Sequence, residues 1–229
     1  MKSARPPTPR APRPLRDVVF DLDGTLLDPF EGITRCYQHA LEAMKRPVPT
    51  QRELAWCIGP PLRGNLAKLL ATTDADLVEK GVRLFRERFD AFGWSETRWY
   101  DGARELLMGL RAAGVRTHLA TAKPLPFTER TVERFGLGPL LDSFHAAALD
   151  PSRDDKAHIL AGLVTQERVD PAAAAMVGDR AQDVRAALAN AIHPIGVTYG
   201  YGSSEELRGA GAELLCDSPA AVLRALLPA

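Results

Sequence analysis

The sequence predicts an α/β protein: a parallel sheet with helices on both faces, interrupted after its first strand by an all-helical insertion. Three observations predict it. Short apolar runs alternate with segments of helical spacing from about residue 103 to the end of the chain. The first apolar run, Val18-Val19-Phe20, stands alone ahead of a long block with helical periodicity. Carboxylate or hydroxyl residues follow several of the apolar runs, as they do at the ligand-binding edge of an open sheet.

Taken in order, Arg16-Asp17-Val18-Val19-Phe20 suits a buried strand. Pro29 opens a helix whose one face carries Ile33, Tyr37, Ala40, Leu41 and Met44. Thr50 and Glu53 form a capping box for a second helix. After Gly59-Pro60-Pro61, the positions Leu62, Leu66, Leu69 and Leu70 mark a third. Thr73 or Asp74 caps a fourth, with Leu77, Leu84, Phe85, Phe89 and Phe92 as its stripe. Residues 29–95 are thus expected to be helical throughout. Beyond them, helices are expected over 103–113, 124–135, 155–164, 182–190 and 219–227, the first two stopped by Gly114 and Gly136. Strands are expected over 115–121, 144–149, 173–177, 194–198 and 213–216. Strands alternating with helices imply a parallel sheet with helices on both faces. The implied organisation is a flexible Arg/Pro-rich leader (1–14), a core formed by 15–28 and 97–229, and a helical cap (29–96) over the strand C-termini.

Bulk properties exclude several classes. With 29 basic and 29 acidic side chains the formal charge is zero, which speaks against a dedicated nucleic-acid binder. Cys36, Cys57 and Cys216 are scattered without a CxxC pair, as in reduced thiols of a cytoplasmic protein. No apolar stretch reaches membrane-span length, so no membrane partner is expected. Pro6, Pro7, Pro9, Pro12 and Pro14 occupy the place where a signal peptide needs an apolar run. The five histidines lack metal-ligand spacing, and Trp56, Phe92 and Trp94 fit helix packing better than a ligand stack. Nothing in the composition specifies an oligomer.

The candidate chemistry begins at Asp21-Leu22-Asp23-Gly24-Thr25. Residues two apart on extended backbone point to one side, so Asp21 and Asp23 converge. Their repulsion calls for an opposing charge or a shared proton. Mg²⁺ meets that need, since it prefers oxygen ligands and combines carboxylates with substrate phosphate. Gly24 allows a sharp turn with open amides, and Thr25 adds a hydroxyl donor. Three later positions extend the pattern. Thr121 offers a hydroxyl for a phosphoryl oxygen, or else caps the next helix. Lys156 begins a helix, a dipole-unfavourable place for a cation that either faces the site or is plain surface. Gly178-Asp179-Arg180-Ala181-Gln182-Asp183 follows a buried strand; Asp179 completes a metal site or caps the following helix, with Asp183 nearby.

These segments together resemble the haloacid dehalogenase superfamily, in particular its helical-cap phosphatases. The matching residues are Asp21 through Thr25, Thr121 within Leu119-Ala120-Thr121-Ala122-Lys123-Pro124, Lys156, and Gly178-Asp179 through Asp183. The resemblance implies a Rossmann-like core and hydrolysis of a small phosphorylated metabolite through an aspartyl-phosphate. It assigns Asp21 as nucleophile and Asp23 as general acid/base. Thr121 and Lys156 stabilise charge, while Gly24, Thr25 and Ala122 line the phosphoryl site. The resemblance further implies that Mg²⁺ is held by Asp21, the Asp23 backbone carbonyl and Asp179, with Asp183 close by. Ile58-Gly59-Pro60-Pro61-Leu62, and the loop Gly200-Tyr201-Gly202-Ser203 with Glu205-Glu206-Leu207, resemble the phosphoglycolate phosphatase subgroup. Arg63 is the candidate anion contact, or a solvated helix arginine. The segment Ala146-Ala147-Ala148-Leu149-Asp150 departs from the Gly- or Ser-containing turn expected before Lys156. Two other readings stay open: a phosphosugar mutase of the same superfamily and a non-catalytic phosphoryl-ligand binding protein. Dehalogenation is disfavoured by Asp23, which a dehalogenase has no use for.

Overall fold

A computed structural model describes residues 14–148 and 155–227. The leader, apart from Pro14, lies outside the described residues, as do Leu149 and Asp150 of the departing segment. The core is a six-stranded sheet built from β1 (Asp17–Phe20), β4 (Arg116–Pro124), β5 (Ser143–Ala147), β6 (Ala174–Gly178), β7 (His193–Val197) and β8 (Leu214–Cys216). Its order is β5-β4-β1-β6-β7-β8, and every pairing in it is parallel. This is the α/β, Rossmann-like arrangement expected from the alternation of elements.

Parallel strands covered on both faces must alternate side chains between two cores. They do. Val18, Phe20, Leu119, Ala175 and Val177 face one core, covered by α4 (Ala103–Ala112), α5 (Leu125–Arg134) and α9 (Pro219–Leu226). Val19, Ala120, Ala174 and Met176 face the other, covered by α6 (Lys156–Gln166) and α7 (Ala181–Ala189). At the opposite end of the sheet from the strand C-termini, buried Asp17 accepts from or pairs with His118 Nε2 at 3.0 Å, while His118 Nδ1 lies 2.8 Å from Ser143 Oγ. That polar relay ties β1, β4 and β5 together, a structural use of one of the unassigned histidines.

The helical block leaves the core through β2 (Leu27–Asp28) and returns through β3 (Arg98–Trp99), which pair antiparallel. Sequence periodicity misses both, because two-residue strands are too short to show a period of two. Between them lie α1 (Phe30–Ala43), α2 (Leu62–Leu70) and α3 (Ala75–Arg88), packed around Tyr37, Leu41, Leu66, Val82 and Phe85. Two stretches differ from plain α-helix. The Thr50–Glu53 capping box exists, with Thr50 N donating to Glu53 Oε2 at 2.8 Å and Glu53 N to Thr50 Oγ1 at 3.3 Å, but it opens a 3₁₀ turn at Arg52–Cys57. The end of the block widens into a π-turn at Phe89–Gly93. The three tryptophan/phenylalanine positions read as packing residues also divide: Phe92 is 61% and Trp56 39% exposed, whereas Trp94 lies under Arg130 of α5, 4.3 Å from the guanidinium.

Two further boundaries move. β4 runs on to Pro124, past the expected end at Thr121, because β5 keeps pairing with it across a bulge. The segment after Ser203, expected as loop, is the short helix α8 (Ser204–Gly209), capped by Ser203 Oγ, which accepts from Glu206 N at 3.1 Å. Among the described residues no helix is long and apolar enough to cross a membrane.

Candidate active site

Strand order brings the candidate residues together. β1 lies between β4 and β6, so the C-terminal ends of three adjacent strands present Asp21, Thr121 and Asp179 side by side. Asp21 N donates to Val177 O at 2.9 Å, extending the β1–β6 ladder by one bond and fixing where the carboxylate emerges. The next turn is tight: Gly24 N donates to Leu27 O at 2.8 Å, and Gly24 adopts φ +93°. A side chain there would overlap the Asp179 carboxylate. We expect Gly24→Ala to cost about 2 kcal/mol from backbone strain alone, lowering the melting temperature by roughly 4 °C or more. A variant that melts with the parent would show that the turn relaxes freely.

Asp21, Asp179 and Asp183 are all buried, and one carboxylate oxygen of each lies within 4.8 Å of the others. Lys156 enters from the first turn of α6 and reaches Asp21 Oδ1 and Asp183 Oδ1, at 2.5 Å each. Asp155 N-caps that helix by accepting from Ala157 N at 3.0 Å. Burial works against the Lys156 charge, but Asp183 and Asp21 outweigh it and hold the ammonium above its ordinary range. Asp183 Oδ2 also accepts from Arg180 N at 2.9 Å, so Asp183 caps α7 from its third position. Among the described residues Asp179 caps no helix. Its Oδ2 accepts from Tyr201 N at 2.8 Å, while its Oδ1 is buried with no hydrogen-bond partner among the described residues.

Charge counting shows what this cluster lacks. Three buried carboxylates face one ammonium, leaving two formal negative charges uncompensated. Burial pushes the Asp21 carboxyl up to about 7, with Lys156 opposing and Asp183 adding to the rise. Burial, then Asp183 and Asp21, hold Asp179 well above the carboxylate range. An oxygen-only donor set, a deficit of two charges and an orphaned carboxylate oxygen fit a hard divalent cation.

Asp23 lies outside the three-carboxylate group but lines the same cavity as Asp21. Lys123 Nζ donates to Asp23 Oδ1 at 2.8 Å, and Thr121 Oγ1 accepts from Lys123 N at 3.1 Å. Thr121, Ala122 and Lys123 thereby face the two aspartates from the neighbouring strand. Thr25 is buried, and its hydroxyl has no partner among the described residues. Sequence reading included Lys123 in a matched segment but gave it no role; its spacing from Asp23 holds no local signal. Tyr201 was likewise named only within a resembling segment and given no role of its own. Its hydroxyl donates to Asp28 Oδ1 and its backbone N to Asp179, so it joins the exit strand β2 to the acidic cluster.

A cavity of about 540 Å³ opens from Asp21, Asp23 and Thr121 toward the insertion. Arg180 Nη1 donates to Ile58 O at 2.6 Å and Gln182 Nε2 to Gly59 O at 3.1 Å, docking the Gly59-Pro60-Pro61 loop on the core. Arg63 lines the same cavity, but its guanidinium forms a two-point pair with Glu79.

A model of the haloacid dehalogenase-like hydrolases matches residues 18–197, which takes in all four segments of the site. The chain belongs to the haloacid dehalogenase-like hydrolase family. Among relatives of this haloacid dehalogenase-like hydrolase, a 5'-nucleotidase from Pseudomonas aeruginosa is 35% identical over 92% of this chain and 95% of that protein. The tyrosine-protein kinase PtkA of Mycobacterium tuberculosis is 36% identical over 82% of this chain; the aligned part spans only 64% of PtkA. Phosphoglycolate phosphatases match at lower identity, as the resemblance of the Gly-Pro-Pro and Gly-Tyr-Gly segments anticipated. The crystal structure of a "predicted phosphatase" from Clostridium acetobutylicum superposes with a TM-score of 0.86 at 33% identity, covering 92% of this chain and 97% of that one.

Proposed function

We propose that this family member is a Mg²⁺-dependent phosphatase that hydrolyses a small phosphorylated metabolite, with Asp21 as nucleophile and Asp23 as general acid/base. The observation that carries the proposal is the convergence of Asp21, Asp179 and Asp183 on Lys156 with two negative charges left over. Phosphatase names among the relatives support the same reading. Asp21, Asp179, Asp183 and the Asp23 backbone carbonyl would hold the ion. When bound, Mg²⁺ supplies positive charge that keeps the carboxylates ionised and draws electron density from the phosphoryl oxygens.

This chain's own residues do the rest. An Asp21 oxygen attacks phosphorus in line, and the bond to the leaving oxygen breaks as the aspartyl-phosphate forms. Asp23 gives its proton to that oxygen, then takes one from the water that cleaves the aspartyl-phosphate and frees inorganic phosphate. Lys123 orients Asp23 through its 2.8 Å bond. Lys156, the Thr121 hydroxyl and the amides after Gly24 and Thr121 compensate charge on the transferring group. The helical insertion acts as the cap, with Arg180 and Gln182 seating its Gly59-Pro60-Pro61 loop.

Asp23→Asn is expected to lower turnover by about 100-fold or more, the usual worth of general acid–base help, while the fold survives the near-isosteric change. Steady-state phosphate release with circular dichroism checks both; near-normal turnover would remove Asp23 from the acid/base role. The primary test is release of inorganic phosphate from a panel of phosphorylated metabolites with Mg²⁺ present. Isomerisation of a sugar phosphate without release would indicate a mutase, and inertness toward the whole panel a binding protein.

A further inference from the structure

We infer that the substrate's leaving group carries a planar ring, a nucleobase or an aryl group, and is not a short aliphatic acid. This rests on the phosphatase reading and concerns the cavity beyond its phosphoryl site. That cavity, about 540 Å³, falls among sites that hold drug-sized ligands, roughly 300–1,000 Å³. A two-carbon phosphoester would leave most of it unfilled and its apolar walls without contacts.

The walls are aromatic and aliphatic. Tyr37, Phe85, Phe89 and Phe127 line the cavity, with Ile33 and Leu62 beside them. The aromatic residues form a continuous chain: Tyr37 meets Phe85 edge-on at 4.8 Å, Phe85 stacks on Phe89 at 5.9 Å, and Phe89 meets Phe127 edge-on at 4.9 Å between centroids. Three of these come from the insertion and Phe127 from α5 of the core, so the ring wall spans the docked interface. Such a surface offers a flat ring the offset or edge-on contacts that aromatic groups prefer. Each ring is held by its neighbours, which makes the wall preorganised.

Two of the three cations on the wall are already engaged. A distal carboxylate would need an available positive group, yet Arg63 is held at two points by Glu79 and Lys123 is bonded to Asp23. Arg86 lines the cavity as well and forms no ion pair among the described residues. One unpaired guanidinium remains for an anionic contact, so the ring wall and the cavity's size carry the inference.

The decisive experiment compares pairs of primary-alcohol phosphoesters in which one leaving group carries the ring and its partner does not. The pairs are a nucleoside 5'-monophosphate against ribose 5-phosphate, and 2-phenylethyl phosphate against ethyl phosphate, with phosphoglycolate as a fifth ester. Even one methylene in an apolar pocket changes selectivity by about 10–200-fold, so at least one ring-bearing ester should exceed its partner by tenfold or more in kcat/KM. The pair that responds identifies the ring as nucleobase or aryl. Phe127→Leu, checked for folding by thermal melting, should cut the ring-bearing to ring-free ratio by about tenfold. Ring-free esters turned over as well as or better than their partners, or phosphoglycolate preferred to all, would overturn the inference while leaving the phosphatase reading intact. So would a folded Phe127→Leu with an unchanged ratio; if that variant does not fold, the wild-type comparison decides alone. No phosphate from any of the five esters would overturn both.

Discussion

Asp21→Asn is expected to abolish phosphate release, by at least about a thousandfold, without loss of the fold. An amide nitrogen has no nucleophilic lone pair to offer phosphorus, and the remaining amide oxygen carries little negative charge. A thousandfold loss corresponds to about 4 kcal/mol of transition-state stabilisation. Stability should hold or rise, because burial disfavours the Asp21 charge more than Lys156 supports it, and Asp183 adds repulsion. Removing one charge relieves that repulsion, and Lys156 keeps Asp183 as its partner. Single-turnover phosphate release together with thermal melting separates the two effects. Residual turnover within tenfold of the parent would mean that another group attacks phosphorus.

Chelation of Mg²⁺ is expected to stop turnover completely, and its restoration to stabilise the folded chain. A ligand at a hundred times its dissociation constant stabilises the native state by about 2.7 kcal/mol. For a chain of this size that corresponds to a rise in melting temperature of roughly 5–10 °C. The physical basis is the two uncompensated charges at Asp21, Asp179 and Asp183. Asp179→Asn should remove most of the thermal response, since Asp179 Oδ1 has no other partner among the described residues. Full activity in excess chelator, or a melting curve indifferent to Mg²⁺, would reject the ion's part in this site.

Which residues were legible before folding follows from how local their signals are. Asp21, Asp23, Thr121 and Asp179 each sit just after an apolar run, and a sheet that is parallel puts all such positions on one edge. Lys156 was legible through its place at a helix start. Lys123 was not, because its bond to Asp23 spans 100 residues and no spacing rule reaches that far. Arg63 shows the converse. As a cation beside the Gly-Pro-Pro loop it looks available, and only the packing of α2 against α3 brings Glu79 within reach of it. The cavity wall also escaped, since Tyr37, Phe85 and Phe89 occupy helical spacing that serves a hydrophobic core and a ligand face equally well.

The amino-acid order by itself determined the alternating elements, the parallel sheet, the helical insertion and the acidic edge, since periodicity, caps and turn glycines act over a few residues. Tertiary structure alone decided the pairings: Lys123 with Asp23, Lys156 between Asp21 and Asp183, Arg63 with Glu79, and Phe127 against Phe89. A side chain's charge or ring is written in the sequence, but its partner depends on which elements the packed cores bring within a few ångströms of each other.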